Sequence, residues 1–223
     1  MRVYIKKTGV PSFVRGPYFS KGMIKMSVYK QLLGDRFERM HPKLQHRYAT
    51  NAGDVFRAKG VMHEISHGSA LLTPFYYAAT TMDFLFPEEG HNIPFDLEHR
   101  CIQTGDDLFD IDWHRNFYFP EKTRQFDSIT RVDLATNHAY DLLGKPTMMR
   151  SNLLLDVTRD GHLITRTNAQ HLLGLVPLPG FFKGKAIVED GYDDEQQCYT
   201  IYATVYNELL GTIIMYGGHF NEI

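Results

Sequence analysis

From Ile93 to the C-terminus the hydrophobic period of the chain is two. Phe109, Ile111, Trp113, Arg115, Phe117 and Phe119 alternate with Asp110, Asp112, His114, Asn116 and Tyr118, the pattern of a strand with one face buried. Ile93, Phe95, Leu97, His99 and Cys101 alternate in the same way just upstream. Met149 to Val157 runs into an Asp160-Gly161 turn and returns through Leu163, Thr165, Thr167 and Ala169, which predicts a hairpin. Lys185–Val188, Tyr199–Tyr206 and Thr212–Tyr216 follow. Polar turn clusters lie at Gly105-Asp106-Asp107, Asp160-Gly161, Pro179-Gly180 and from Asp190-Gly191 to Asp194. Many consecutive strands without intervening helices exclude an alternating βα wind.

The helical signal is confined to the first 90 residues. Ser27 is placed to cap a helix carrying Val28, Tyr29, Leu32 and Leu33 on one face, with Gly34 past its end. Asp35 and Glu38 form a capping-box-like start to a second helix with Phe37, Met40 and Leu44 at helical spacing, and Pro42 fits there if it opens a fresh first turn after His41. Thr73-Pro74 begins a third, whose stripe Phe75, Ala78, Ala79, Met82 and Phe86 runs to Pro87. The predicted architecture is α+β: a strongly curved antiparallel sheet or partly open β-barrel with the N-terminal helices packed on it. A basic extension over 1–25 would precede a single domain over 27–223.

With 24 basic and 26 acidic residues the formal charge is −2, and 43% hydrophobic residues suffice for a core. Disorder is excluded, and nothing points to nucleic acid. Residues 1–25 hold Arg2, Lys6, Lys7, Arg15, Lys21 and Lys25 without an acid, but no apolar run follows them as in an export signal. The stretch Leu71 to Pro87 is interrupted by Thr73, Pro74, Thr80, Thr81 and Asp83, so no membrane span is expected. Cys101 and Cys198 are too few and too far apart for a metal knuckle or redox pair, and with the missing signal they suggest reduced thiols and a cytoplasmic setting.

One motif is chemically sharp. His63-Glu64-Ile65-Ser66-His67 reads H-E-x-x-H, which on a helix binds zinc through both imidazoles while the glutamate activates water, with Glu88 or Glu89 as a third ligand. Here Gly60 and Gly68 bracket it, and its residues alternate as in a strand. Two histidines on one strand face would stand about 13 Å apart, too far to share a metal. No cofactor is implied: phosphate loops, dinucleotide fingerprints and nucleophile elbows are absent from the sequence. Arg115 and His99 instead interrupt the apolar faces of neighbouring strands. An inward guanidinium must find a counter-charge, either a core carboxylate or the anionic group of a ligand. The acidic run Glu189–Glu195 reads as a solvated hairpin tip, and Asp110 with Asp112 as a solubilising outer face.

Leu33-Gly34-Asp35-Arg36-Phe37-Glu38-Arg39-Met40-His41-Pro42, Gly60-Val61-Met62, Trp113-His114-Arg115-Asn116-Phe117, Leu209-Leu210-Gly211 and Tyr216-Gly217-Gly218-His219-Phe220 together resemble an uncharacterised bacterial family of unknown function. Its members occur alone or fused behind saccharopine-dehydrogenase-like NAD(P)-binding domains, and the resemblance spans about residues 27–220. It implies a strand-like element at Gly60 and no family role for His63 and His67, and it supplies no catalytic residues. The leading expectation is non-catalytic binding of a small hydrophobic or amphiphilic molecule. Arg115 would anchor its anionic group, His99 would make a polar contact, and Trp113, Phe117 and Tyr216 would form walls. The alternatives are a zinc-dependent hydrolase built on His63 and His67, and an interaction module for a partner oxidoreductase.

Overall fold

A computed structural model describes residues 27–172, 176–177 and 183–223. The basic extension and the Pro179-Gly180 turn lie outside the described residues. Helix α1 (Val28–Leu33) is capped by Ser27 Oγ and followed by Gly34 at φ 57°, as the sequence dictates. A 3-10 turn over Gly34–Arg39 leads to α2 (Pro42–Tyr48), whose first turn is held by the His41 side chain and opened by Pro42. Val28, Leu32, Leu33, Phe37, Met40 and Leu44 are all buried.

The strands are β1 (Val55–His67), β2 (Gly90–Gln103), β3 (Leu108–Phe119), β4 (Lys122–Gln125), β5 (Ser128–Asp133), β6 (His138–Leu143), β7 (Met149–Val157), β8 (Leu163–Leu172), β9 (Val176–Pro177), β10 (Lys185–Asp193), β11 (Cys198–Asn207) and β12 (Gly211–Glu222). Ten of them follow one another antiparallel in the order β10-β11-β12-β1-β2-β3-β5-β6-β7-β8, and β8 pairs back onto β10 through Leu163↔Asp190 to Arg166↔Ile187. The sheet therefore closes on itself, and the ten strands form a barrel without the open seam allowed for in the sequence reading. Strands β4 and β9 are short additions beside β3 and β8.

Both ends are stoppered. At one end α1 and α2 lie across the mouth: His41 N–H donates to Gly161 O, Tyr199 Oη donates to Lys43 O, and the Arg36 guanidinium donates to Leu155 O. At the other end sits α3 (Thr73–Thr80), shorter than the stripe to Phe86 suggested. The Thr80 and Thr81 hydroxyls bond back to Tyr77 O and Ala78 O, and Asp83 takes φ 50°. The chain leaves the helix there, and Phe84, Leu85 and Phe86 are buried from an irregular segment, with Phe86 against Phe117 and Phe119. Tyr76 fixes α3 by donating to Ile213 O at 2.6 Å.

The H-E-x-x-H segment is strand, within β1. The register against β12 shifts between Met62↔Gly218 and Glu64↔Gly217, so His63 is the extra residue of a bulge. That bulge corrects the expectation of one shared face. His63 points outward to His219 (Nε2···Nδ1 2.9 Å), whereas His67 turns inward against Tyr76 and Phe86. Among the described residues, no group of three or more His, Cys, Asp or Glu is arranged to hold a metal ion.

Candidate functional site

Within the barrel lies a partly open cavity of about 90 Å³. Its walls are mostly apolar, with Leu97, Leu153, Leu155, Val188 and Ile201 among them. Four charged side chains also reach it: Arg47 and Asp190, and Arg115 and Asp141.

The first two neutralise each other. Arg47 comes down from α2 and donates through Nη1 to Asp190 Oδ1 at 2.6 Å, both side chains almost fully buried. The guanidinium lies 4.8–6.0 Å from the ring centroids of Phe220, Tyr48, Phe56, Tyr199 and Trp113. Its ionised form is held by the Tyr48 and Asp190 side chains against burial, which opposes it, and its pKa stands above the usual arginine range. This pair pins the α2 stopper to the barrel wall. Asp190 corrects the reading of the acidic run: Glu189–Asp193 are strand, and Asp190 is 5% exposed inside the barrel, not at a solvated tip. Asp110 likewise does more than solubilise, since it is buried under a two-pronged ion pair with Arg131, 2.6 Å on each arm.

The second two are not in contact. Arg115 Nη1 donates to Phe126 O at 3.3 Å and to Ser128 Oγ at 3.4 Å, and the guanidinium lies over the Trp113 and Phe126 rings. Among the described residues no carboxylate comes within 4.0 Å of it. Asp141 belongs to a different chain of bonds: Trp113 Nε1–H donates to Thr130 Oγ1 at 3.0 Å, and Thr130 donates to Asp141 Oδ1 at 2.5 Å. Burial raises the Asp141 pKa, outweighing the Thr130 hydrogen bond and the attraction of Arg115. The cavity lining thus holds a guanidinium with no carboxylate partner among the described residues and a carboxyl group whose pKa burial raises. The hydroxyls of Tyr29 and Tyr216, residues 4% and 6% exposed, also lie on its lining without a hydrogen-bond partner among the described residues.

Of the residues singled out from sequence, Arg115, Trp113 and Tyr216 line this cavity together. His99 and Phe117 stand outside its lining. His99 is 1% exposed and sandwiched between Phe56 (5.0 Å, 17°) and Trp113 (4.6 Å), with no partner for either ring nitrogen. Burial, then the Arg47 and Arg115 charges, push its pKa down to about 3, so the ring is neutral. Phe117 packs among Phe86, Phe95 and Tyr216. Arg47, Asp141, Asp190, Thr130 and Tyr29 are its other polar lining residues of note and were not singled out from sequence as site residues.

Fold and site define a closed antiparallel barrel, stoppered at both ends, with a small interior cavity whose polar groups are unequally paired. The chain belongs to the family described as a domain of unknown function (DUF4166), whose model matches residues 40–220. It is 33% identical over 199 residues to the uncharacterized protein YndH of Bacillus subtilis (strain 168), a match covering 88% of this chain and 97% of that protein. No helix among the described residues is long and apolar enough to cross a membrane.

Proposed function

We propose that this barrel is a binding protein for a small amphiphilic molecule carrying an anionic group, taken up in the cavity with that group on Arg115. The observation that carries this reading is the Arg115 guanidinium. It faces an apolar cavity with hydrogen bonds only to a main-chain carbonyl and a serine hydroxyl, and with no carboxylate of the described residues within 4.0 Å. A partly buried cation without a carboxylate partner is completed by an anion or water. Arginine suits the task because its planar fork matches a carboxylate. Native mass spectrometry of the purified full-length protein tests the reading. A small-molecule adduct on wild type that is lost in Arg115→Met supports it, and identical adduct-free spectra for both proteins oppose it.

A second reading, a docking module for a partner oxidoreductase, draws on the exposure of Leu71, Phe75 and Tyr77 around α3. Its mark would be a patch variant, Leu71→Ser with Phe75→Ser, that keeps ligand binding and loses association with the partner.

A further inference from the structure

The bulge in β1 does what a regular strand would not: it brings two histidines together on the outer wall of the barrel. Val61 stands opposite His219 and Met62 opposite Gly218, and then the register slips so that Glu64 pairs with Gly217. His63 is the extra residue, and a bulge bends its strand and re-aims the side chain it carries. His63 and Glu64 are both exposed, where a regular strand would turn one of two successive residues inward. Gly217 contributes no side chain to crowd the pair. From β2, His91 donates to His63 O at 3.3 Å, which holds the bulged main chain in place.

His63 Nε2 and His219 Nδ1 are 2.9 Å apart, with ring centroids at 4.7 Å and planes inclined by 41°. One ring donates and the other accepts, so a single proton occupies the space between the two nitrogens. The other ring nitrogens, His63 Nδ1 and His219 Nε2, have no partner among the described residues.

A transition-metal ion takes the place of such a proton. Imidazole suits zinc, copper and nickel ions. With metal–imidazole bonds of about 2.0–2.1 Å, an ion equidistant from nitrogens 2.9 Å apart sees them at an angle of about 90°. That is the cis angle of square-planar and tetragonal ions, the geometry of Cu²⁺ and Ni²⁺. A tetrahedral Zn²⁺ would hold the same nitrogens about 3.3–3.4 Å apart. On binding, the donor ring takes its proton on the free nitrogen instead, by exchange with solvent, so both rings stay neutral and both offer a lone pair to the ion. Two protein ligands leave the remaining positions to water, unlike a centre of three or more His, Cys, Asp or Glu, which does not occur among the described residues.

We propose that His63 and His219 form a surface chelate for a tetragonal divalent ion, Cu²⁺ above all, with water in the remaining positions.

The untagged full-length protein is titrated with Cu²⁺, Ni²⁺ and Zn²⁺ by calorimetry against a weak competing chelator, and the Cu²⁺ complex is recorded by electron paramagnetic resonance. One equivalent of Cu²⁺ is expected at the tightest site, with a tetragonal spectrum showing coordinated imidazole nitrogen, and Ni²⁺ is expected to bind more tightly than Zn²⁺. His63→Ala and His219→Ala should each weaken Cu²⁺ binding at least tenfold. His46→Ala, at another exposed histidine, should leave it unchanged. Thermal unfolding confirms that each variant is folded, and His63→Gln provides a second variant that fills the same space without the imidazole. Unchanged Cu²⁺ affinity in the folded His63 or His219 variants would overturn the site, as would an equal loss in His46→Ala. A spectrum without imidazole nitrogen would overturn it as well, and Zn²⁺ binding above Ni²⁺ would overturn the tetragonal geometry.

Discussion

Acidification should unfold this protein in a way that one residue controls. His99 is 1% exposed, stacked on Phe56 and tilted against Trp113, and neither ring nitrogen has a partner. Its pKa falls from the ordinary 6.5 to about 3 through burial and the nearby Arg47 and Arg115 charges. At pH 7 the imidazole is neutral in both folded and unfolded chains and contributes no linkage. As pH drops below about 6.5 the unfolded chain takes up a proton that the folded chain refuses until about pH 3, so stability is lost across that window. At pH 4 the loss amounts to about 3 kcal/mol. His99→Phe keeps the ring stack and abolishes the titration. Urea unfolding of both proteins at pH 7 and pH 4 isolates the effect, because all other groups titrate alike in the two. The variant should gain about 3 kcal/mol on wild type between the two pH values. A difference that does not change with pH would mean that the folded protein protonates His99 freely, and the account of a dry, cation-flanked imidazole would fail.

Arg47→Met leaves Asp190 buried without its partner and should cost about 3–5 kcal/mol, which corresponds to a fall in Tm of roughly 6–20 °C for a chain of this size. The double variant Arg47→Met with Asp190→Leu should recover most of that loss; equal loss in single and double variants would show that the charge pair is not what seats α2. Gly60 lies where β1 approaches β12 so closely that a Cβ would meet His219 O at 2.0 Å and Phe220 Cβ at 2.5 Å. Gly60→Ala should therefore lower Tm by about 3–10 °C through forced backbone displacement, and an unchanged melting curve would contradict that packing.

The strands whose inward positions are apolar were readable from sequence: β2, β3, the β7–β8 hairpin and the last three strands stand where the period of two placed them. Strands β5 and β6 were not. Their inward positions include Thr130 and Asp141, so the cavity erases the alternation that would have betrayed them. The same cause hid Asp190, whose neighbours Glu189, Asp193 and Asp194 resemble a turn until β10 is seen to carry that carboxylate inward beneath Arg47. Arg47 itself sits on a seven-residue helix with basic and polar neighbours, where nothing local distinguishes a buried guanidinium from a solvated one. Closure was equally invisible, because the β8–β10 pairing is a long-range contact with no local signature. Arg115 could be found because it breaks an otherwise apolar face in the clearest strand of the chain. His99 was found by the same signal, yet it packs behind Trp113 instead of lining the cavity, which periodicity alone does not distinguish.

The central claim is that the barrel holds a cavity in which Arg115 awaits an anion. Crystals of the full-length protein briefly soaked in 3-bromopropanoate, with data collected at the bromine edge, test it most directly. The account predicts an anomalous peak inside the barrel near Leu155 and Val188, with the carboxylate on Arg115, absent from Arg115→Met crystals. Bromine found only on the outer surface, with the Arg115 guanidinium folded onto a protein carboxylate, would contradict it.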